Sequence, residues 1–180
     1  MELTTPRLLL DHLRPADAAA LFACRADPAV ARFQGWRPAT LAEAEAFIDA
    51  QADPAPGLWY QRAIRLRDDH VLIGDLGVCL PATPGDSVAF GISLAPAHQG
   101  HGYARELLQA LFHQGFDALG WRRIHASVDP RNAACITLLK SLGMRQEAHF
   151  RESLWLHGEW MDDVVFALLA REWQEDAATM

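Results

Sequence analysis

The chain has 180 residues, 51% of them hydrophobic and 22% charged, with a formal net charge of −7. That length and balance suit one globular domain, spanning 1–180, with a real core. The negative charge argues against non-specific nucleic-acid binding, which leans on positive charge. The three cysteines, Cys24, Cys79 and Cys135, lie far apart and form no C-x-x-C pair. No disulfide framework is expected, and a reduced, cytoplasmic setting fits. The N-terminal stretch carries no signal-peptide pattern, and no apolar run approaches the roughly 18 residues of a membrane span, so no membrane association is expected.

Arg7 to Leu13, with three consecutive leucines, reads as a first strand. Arg14-Pro15-Ala16-Asp17 starts a helix, because proline suits a first helical turn. That helix runs through Leu21 and Cys24 and stops before Asp27-Pro28. Thr40-Leu41-Ala42-Glu43 is a capping box opening a second helix, with Leu41, Ala44, Phe47 and Ile48 on one face. Asp53 to Gly57 is a loop. Leu58 to Leu66 and Val71 to Leu80 read as strands joined by a hairpin turn at Arg67 to His70. Pro81 to Asp86 turns again. Val88, Phe90, Ile92 and Leu94 then alternate with Ala89, Gly91 and Ser93 in a half-buried strand, where Gly91 implies a bulge or a close backbone approach. An amphipathic run from Ala104 to Leu119 buries Ala104, Leu107, Leu108, Leu111 and Phe112. Ile124, Ala126 and Val128 alternate in the next strand, with His125 and Ser127 opposite. Asp129 to Asn132 turns into a short helix carrying Cys135, Leu138, Leu139 and Leu142 and closed by Gly143. Two strands follow, near Glu147 to Leu156 and Asp163 to Leu169, and Ala177 to Met180 is a frayed tail. The pattern is α+β, with helices interrupting a largely antiparallel sheet.

The stretch His98-Gln99-Gly100-His101-Gly102-Tyr103-Ala104-Arg105 lies between strand and helix. Glycines let the backbone turn sharply and let a ligand approach closely. A helix N-terminus presents unpaired N–H groups at a positive dipole end. Together they make a phosphate or pyrophosphate site. The dinucleotide fingerprint lacks its third glycine, since Arg105 stands there, and no Gly-Lys-Ser/Thr P-loop follows. What fits is Gln99-x-x-Gly102-x-Ala104.

This resembles the coenzyme A loop of the GNAT N-acetyltransferase superfamily. Thr5-Pro6-Arg7-Leu8-Leu9-Leu10, Leu13-Arg14-Pro15-Ala16-Asp17, Gly91-Ile92-Ser93-Leu94 and Asn132-x-x-Cys135 running to Met144 resemble its RimJ/RimL-like branch. The resemblance implies a central mixed, mostly antiparallel, seven-stranded sheet with about four flanking helices, splayed open between the strands ending at Leu94 and Asp129. Acetyl-CoA would lie in that opening, leaving coenzyme A as product. Its pyrophosphate would meet the backbone of Gln99, Gly100, His101, Gly102, Tyr103 and Ala104. Its pantetheine arm would run along Ile92, Ser93 and Leu94, and Asn132 would bond the pantetheine or thioester end. The two early helices would line the acceptor side. The implied activity is acetyl transfer to a primary amine (a protein N-terminus, an amino acid or a small amine) by direct attack on the thioester. Relatives are often homodimers.

Several residues depart from that branch. Ala89 stands where a glutamate is common, Leu139 where many GNAT proteins carry a tyrosine acid, and Cys135 where serine is common. Cys135 is then the candidate acid for the leaving thiolate, since an ordinary thiol pKa of ~8.5 permits donation. His125 and Asp129 are candidate bases, and Trp36, Trp59 and Trp155 candidate walls of the acceptor pocket. His98 and His101 lack a third ligand nearby, so no metal is expected. Glu106 and Asp86 are read as surface charges without a role. The departures motivate an alternative, a catalytically reduced acyl-CoA-binding sensor or interaction module.

Overall fold

The computed structural model describes residues 1–51, 55–83 and 87–179, with side chains up to Gln174. The loop residues Asp53 and Pro54, the turn residues Pro84 to Asp86, and Met180 lie outside the described residues. Among the described residues, eight strands form one sheet: β1 (Leu3–Thr4), β2 (Leu8–His12), β3 (Trp59–Leu66), β4 (Leu72–Cys79), β5 (Ser87–Leu94), β6 (Arg123–Val128), β7 (Arg145–Leu156) and β8 (Glu159–Leu169). Their spatial order is β1-β2-β3-β4-β5-β6-β8-β7. Every neighbouring pair is antiparallel except β5 and β6, which run parallel. The eighth strand, beyond the seven expected, is the two-residue β1, which pairs Leu3 with Leu10 and is too short to show periodicity.

The α-helices are α1 (Ala18–Ala26), α2 (Pro28–Ala31), α3 (Leu41–Asp49), α4 (Tyr103–His113), α5 (Ala133–Ser141) and α6 (Ala170–Thr179). Two were not expected. The four-residue α2 starts at Pro28 under an Asp27 side-chain cap, too short for a periodic signal. The C-terminal residues 177–179, expected to fray, continue α6. Thr40 caps α3 by accepting from Glu43 N at 3.3 Å, but Glu43 reaches back to Ala39 N at 2.8 Å, one residue before the cap. The run expected to be helical to Leu119 is α-helical only to His113 and continues as a π turn over Gln114–Ala118. The cause is packing: Trp121 presses against Gly115 so closely that a β-carbon there would meet its ring at 2.1 Å. None of the described helices is long and apolar enough to cross a membrane.

Alternation along β5 and β6 sorts the sheet into two faces. Val88, Phe90, Ile92 and Leu94 face α4, whose Phe112 meets Phe90 edge-on at 5.6 Å. Leu107, Leu108, Leu111 and Phe112 of α4 are wholly buried there, each contributing roughly 1.5–3 kcal/mol. The other face carries Ser87, Ala89, Gly91 and Ser93. Asp75 of β4 stands opposite Ser93 on that face and is bonded by Arg25 of α1. A smaller cluster of Ala18, Leu21 and Ile48, with Trp36 and Phe47 against it, packs α1 on α3. The cofactor-type loop and the early helices are therefore on opposite faces of the sheet.

Candidate active site

The parallel pair β5–β6 holds only at Ser87↔Arg123, Val88↔Ile124 and Ala89↔His125. Beyond Ala89 the two strands part, and a cavity of about 710 Å³ opens between them. Gly91 keeps its regular pairing with Gly77 of β4, so of the two expectations there, a bulge or a close backbone approach, the β4 side shows no bulge; a β-carbon at Gly91 would meet nothing within 4 Å. That glycine leaves the split open rather than kinking the strand.

The glycine loop lies across one end of the cavity. A short 3-10 turn, Pro96–His98, ends β5, and Gln99 Nε2 donates to Leu94 O at 2.9 Å, folding the loop back onto the strand. Gly100 and Gly102 have φ of +77° and +79°, where a β-carbon is strained. Gly102 is the N-cap of α4, and among the described residues no side chain caps that end. The first-turn N–H groups thus carry the helix's partial positive charge without an internal partner.

Arg7 and Glu106 brace the loop from behind. The Arg7 guanidinium donates to Glu106 at 2.6 Å and to His101 O at 3.0 Å, and lies 4.6 Å from the Tyr103 ring centre. Glu106 also accepts from Thr5 Oγ1 at 2.6 Å and from Arg7 N at 2.9 Å. Burial alone would raise the Glu106 carboxyl, but these donors hold it below its usual value. Glu106 is therefore a clamp on the loop, correcting its reading as an idle surface charge. The Thr5-x-Arg7 opening was visible in the sequence; its partner, about 100 residues on, was not.

Among the expected site residues, Ile92, Leu94, Gln99, Gly100, Gly102, Tyr103, Ala104, Asn132 and Cys135 all line the cavity. Ser93 and His101 are not in that lining. Ser93 is buried on the opposite face with no partner for Oγ among the described residues. His101 stacks on Tyr103 at 5.7 Å between ring centres. Asn132 caps α5, its Oδ1 accepting from Cys135 N at 3.1 Å. The cap occupies Oδ1, so the side-chain amide offers its N–H donors to the cavity. Cys135 is half-buried on the wall, and burial pushes its thiol up to about 11.

The two candidate bases fare differently. His125 lies where β5 and β6 are still paired, with Nδ1 2.7 Å from Ser87 Oγ, and is not in the lining. Asp129 lines the cavity, but Arg131 bonds both its oxygens at 2.7–3.1 Å. Burial would raise that carboxyl, and the Arg131 contacts more than reverse it. A carboxylate held charged in this way is a weak proton acceptor. The tryptophans also differ from expectation: Trp36 stacks on Phe47 at 4.0 Å, Trp59 and Trp155 are exposed, and none of the three lines the cavity.

Phe33 and Gln34, just after α2, line the cavity from the early-helix side. Gln34 is held there by a buried pair: Arg25 donates to Asp75 at 2.5 and 2.9 Å and to Gln34 Oε1 at 2.8 Å. No spacing signal links residues 25, 34 and 75. Among the described residues there is no cluster of three or more His, Cys, Asp or Glu that could hold a metal ion.

Residues 7–145 match the model of the acetyltransferase (GNAT) domain family. The chain belongs to the GNAT acetyltransferase family. It is 30% identical over 174 residues to the uncharacterized N-acetyltransferase YnaD of Bacillus subtilis, covering 96% of this chain and 99% of that one. It is 31% identical to the uncharacterized N-acetyltransferase p20 of Bacillus licheniformis, covering 95% and 97%. In fold it is similar to a GNAT acetyltransferase from Bacillus anthracis (TM-score 0.85, 23% identity, 95% and 99% covered). It is likewise similar to RimJ of Mycobacterium smegmatis in complex with CoA-disulfide (TM-score 0.80, 23% identity, 96% and 87% covered). The chain is thus an N-acetyltransferase of the GNAT family, and RimJ-type enzymes are among its structural neighbours.

Proposed function

We propose that the protein moves the acetyl group of acetyl-CoA to a primary amine, with the amine attacking the thioester directly. One observation carries the reading: β5 and β6 part over the uncapped, glycine-opened N-terminus of α4, leaving room at Gly91 for a chain to pass. The residues present fit the donor. The N–H groups around Gly100 to Ala104 suit a pyrophosphate. The edge of β5 beyond Ala89 leaves backbone groups of Ile92, Ser93 and Leu94 to pair with the amides of a pantetheine arm. Asn132 offers donors near the thioester end. When bound, acetyl-CoA supplies an acetyl carbonyl activated toward nucleophiles.

The chain's own residues hold and orient the two reactants, which by itself removes much of the barrier to a two-substrate transfer. Backbone N–H groups beside the split stabilise charge on the carbonyl oxygen. Cys135 is the proposed acid. Its thiol is protonated at neutral pH, as an acid must be, although a value near 11 makes donation to an ordinary thiolate of ~8.5 uphill by roughly 3 kcal/mol. The acceptor enters from the face covered by α1, beside Gln34. Acceptors of this kind are protein N-termini, amino acids and small amines.

Thermal unfolding with acetyl-CoA, NAD and ATP tests the reading. Stabilisation by acetyl-CoA alone is expected, followed by free-thiol release with an amine panel. Stabilisation by NAD instead would overturn it. Binding without thiol release from any amine would favour an acyl-CoA-binding module.

A further inference from the structure

Ala89 stands where the resemblance points to a glutamate, His125 is not in the cavity lining, and Asp129 is committed to Arg131, so none of the three receives the amine and its proton. We propose that Ser127, oriented by Asp163, is the group that does so. The proposal rests on the acetyl-transfer reading above and deepens it.

Four observations place the pair. Ser127 lines the cavity. It sits two residues past His125, where the β5–β6 pairing ends, so it stands across the split from Gly91 and the open space there. It shares a face with Ser87, Gly91 and Ser93, the face covered by α1 and approached by Gln34, opposite to α4. Its Oγ donates to Asp163 Oδ1 at 2.5 Å, the length of a charge-assisted O–H···O⁻ bond.

The neighbouring charges single out Asp163. Asp129 and Glu159 are paired with Arg131. Asp162 is paired with His149 and also accepts from Glu152 N. Asp75 is paired with Arg25 on the same face. Phe150 of β7 lies opposite Asp163 and brings no charge to it. Among the described residues, the partner of Asp163 is a neutral hydroxyl rather than a cation, so its charge stays available to the cavity through Ser127. With its O–H directed at Asp163, Ser127 Oγ presents lone pairs outward. That is a receptor for an N–H or an ammonium.

The step balances. The amine nitrogen bonds the acetyl carbonyl carbon and the carbon–sulfur bond breaks. One proton passes from nitrogen to Ser127 Oγ while the serine's own proton passes to the Asp163 carboxylate. The departing sulfur takes a proton from water directly or from Cys135, which water then reprotonates, and Asp163 returns its proton to water. Ser127 touches the acceptor; Asp163 positions it and acts through it.

The test uses the full chain and three amines: alaninamide, a dipeptide amide and spermidine. S127A and D163N are compared with the unsubstituted protein in acetyl-CoA-dependent thermal stabilisation, thiol-release kinetics and the pH profile of kcat/KM. Both variants should keep the acetyl-CoA stabilisation and lose about 100-fold in kcat/KM, the scale of general-base assistance. In D163N the pH profile of kcat/KM should change shape and not merely fall. Full turnover in both variants, or a loss of equal size at every pH, overturns the pair while leaving the acetyl-transfer reading standing. Absence of acetyl-CoA stabilisation in the unsubstituted protein, or no thiol release with any of the three amines, overturns the pair together with that reading.

Discussion

Replacing Gly102 by valine separates space from strain at the glycine loop. Gly102 sits at φ +79°, and a β-carbon there would meet only Arg7 Nη2, at 3.5 Å, an ordinary contact. The fold has room, so the cost is the left-handed backbone, about 1–3 kcal/mol for a residue held in such a region. For a chain of this length that lowers Tm by roughly 2–12 °C. Acetyl-CoA at about 100 times its Kd adds about 2.7 kcal/mol to the unsubstituted protein, roughly 5–11 °C. In Gly102→Val that increment should disappear, because a branched side chain occupies the approach to the first-turn N–H groups. Gly120→Val is the control: its φ is +67°, nothing lies within 4 Å, and it is not in the cavity lining. It should lose comparable stability yet keep the full acetyl-CoA increment. Differential scanning calorimetry of the three proteins with and without ligand reads both numbers. An intact increment in Gly102→Val would refute the anion site at this loop, and its loss in Gly120→Val would show that strain alone abolishes binding.

Asp75→Ala strips the partner from Arg25, whose side chain is 7% exposed; a lone buried guanidinium should cost about 3–5 kcal/mol, read as a fall in urea midpoint, and should also release Gln34. Arg7→Ala removes the brace on His101 O and Glu106 and should raise the acetyl-CoA Kd about tenfold, measured by calorimetric titration, with little loss of Tm because Arg7 is half exposed. Burial would raise the Asp17 carboxyl, but hydrogen bonds from Arg65 and from Arg14 N hold it below 3.8. Its folded value lies under its unfolded one, so its stabilisation is complete above about pH 5 and is lost as pH falls through the folded value; Asp17→Asn should flatten the stability–pH curve below about pH 5. Cys135→Ala should lower turnover severalfold at neutral pH if the thiol serves as acid. With the thiol near 11, alkylation of Cys135 in the intact protein should be slow at pH 7.5 and accelerate steeply above pH 9, read by mass spectrometry.

Much of this protein was legible in the chain alone, because the signals were local. Alternation in Val88 to Leu94 and Ile124 to Val128 placed two strands, the leucine spacing after Gly102 placed α4, and the two glycines marked an uncapped helix end. Each depends on neighbours within a turn or a strand, where period and backbone preference act directly. What the tertiary structure alone decided involves partners far apart in sequence: Glu106 clamping Thr5 and Arg7, Arg25 with Asp75 steering Gln34, Trp121 forcing the π turn at Gly115, and Ser127 meeting Asp163 across β6 and β8. It also decided exclusions, since His125 and Asp129 look alike as candidate bases in the chain but differ in which strand pairs beside them and in where Arg131 reaches. Local periodicity places side chains on a face. Only the packing of distant elements, whose contacts must offset the entropy of closing long loops, determines which of those side chains meet.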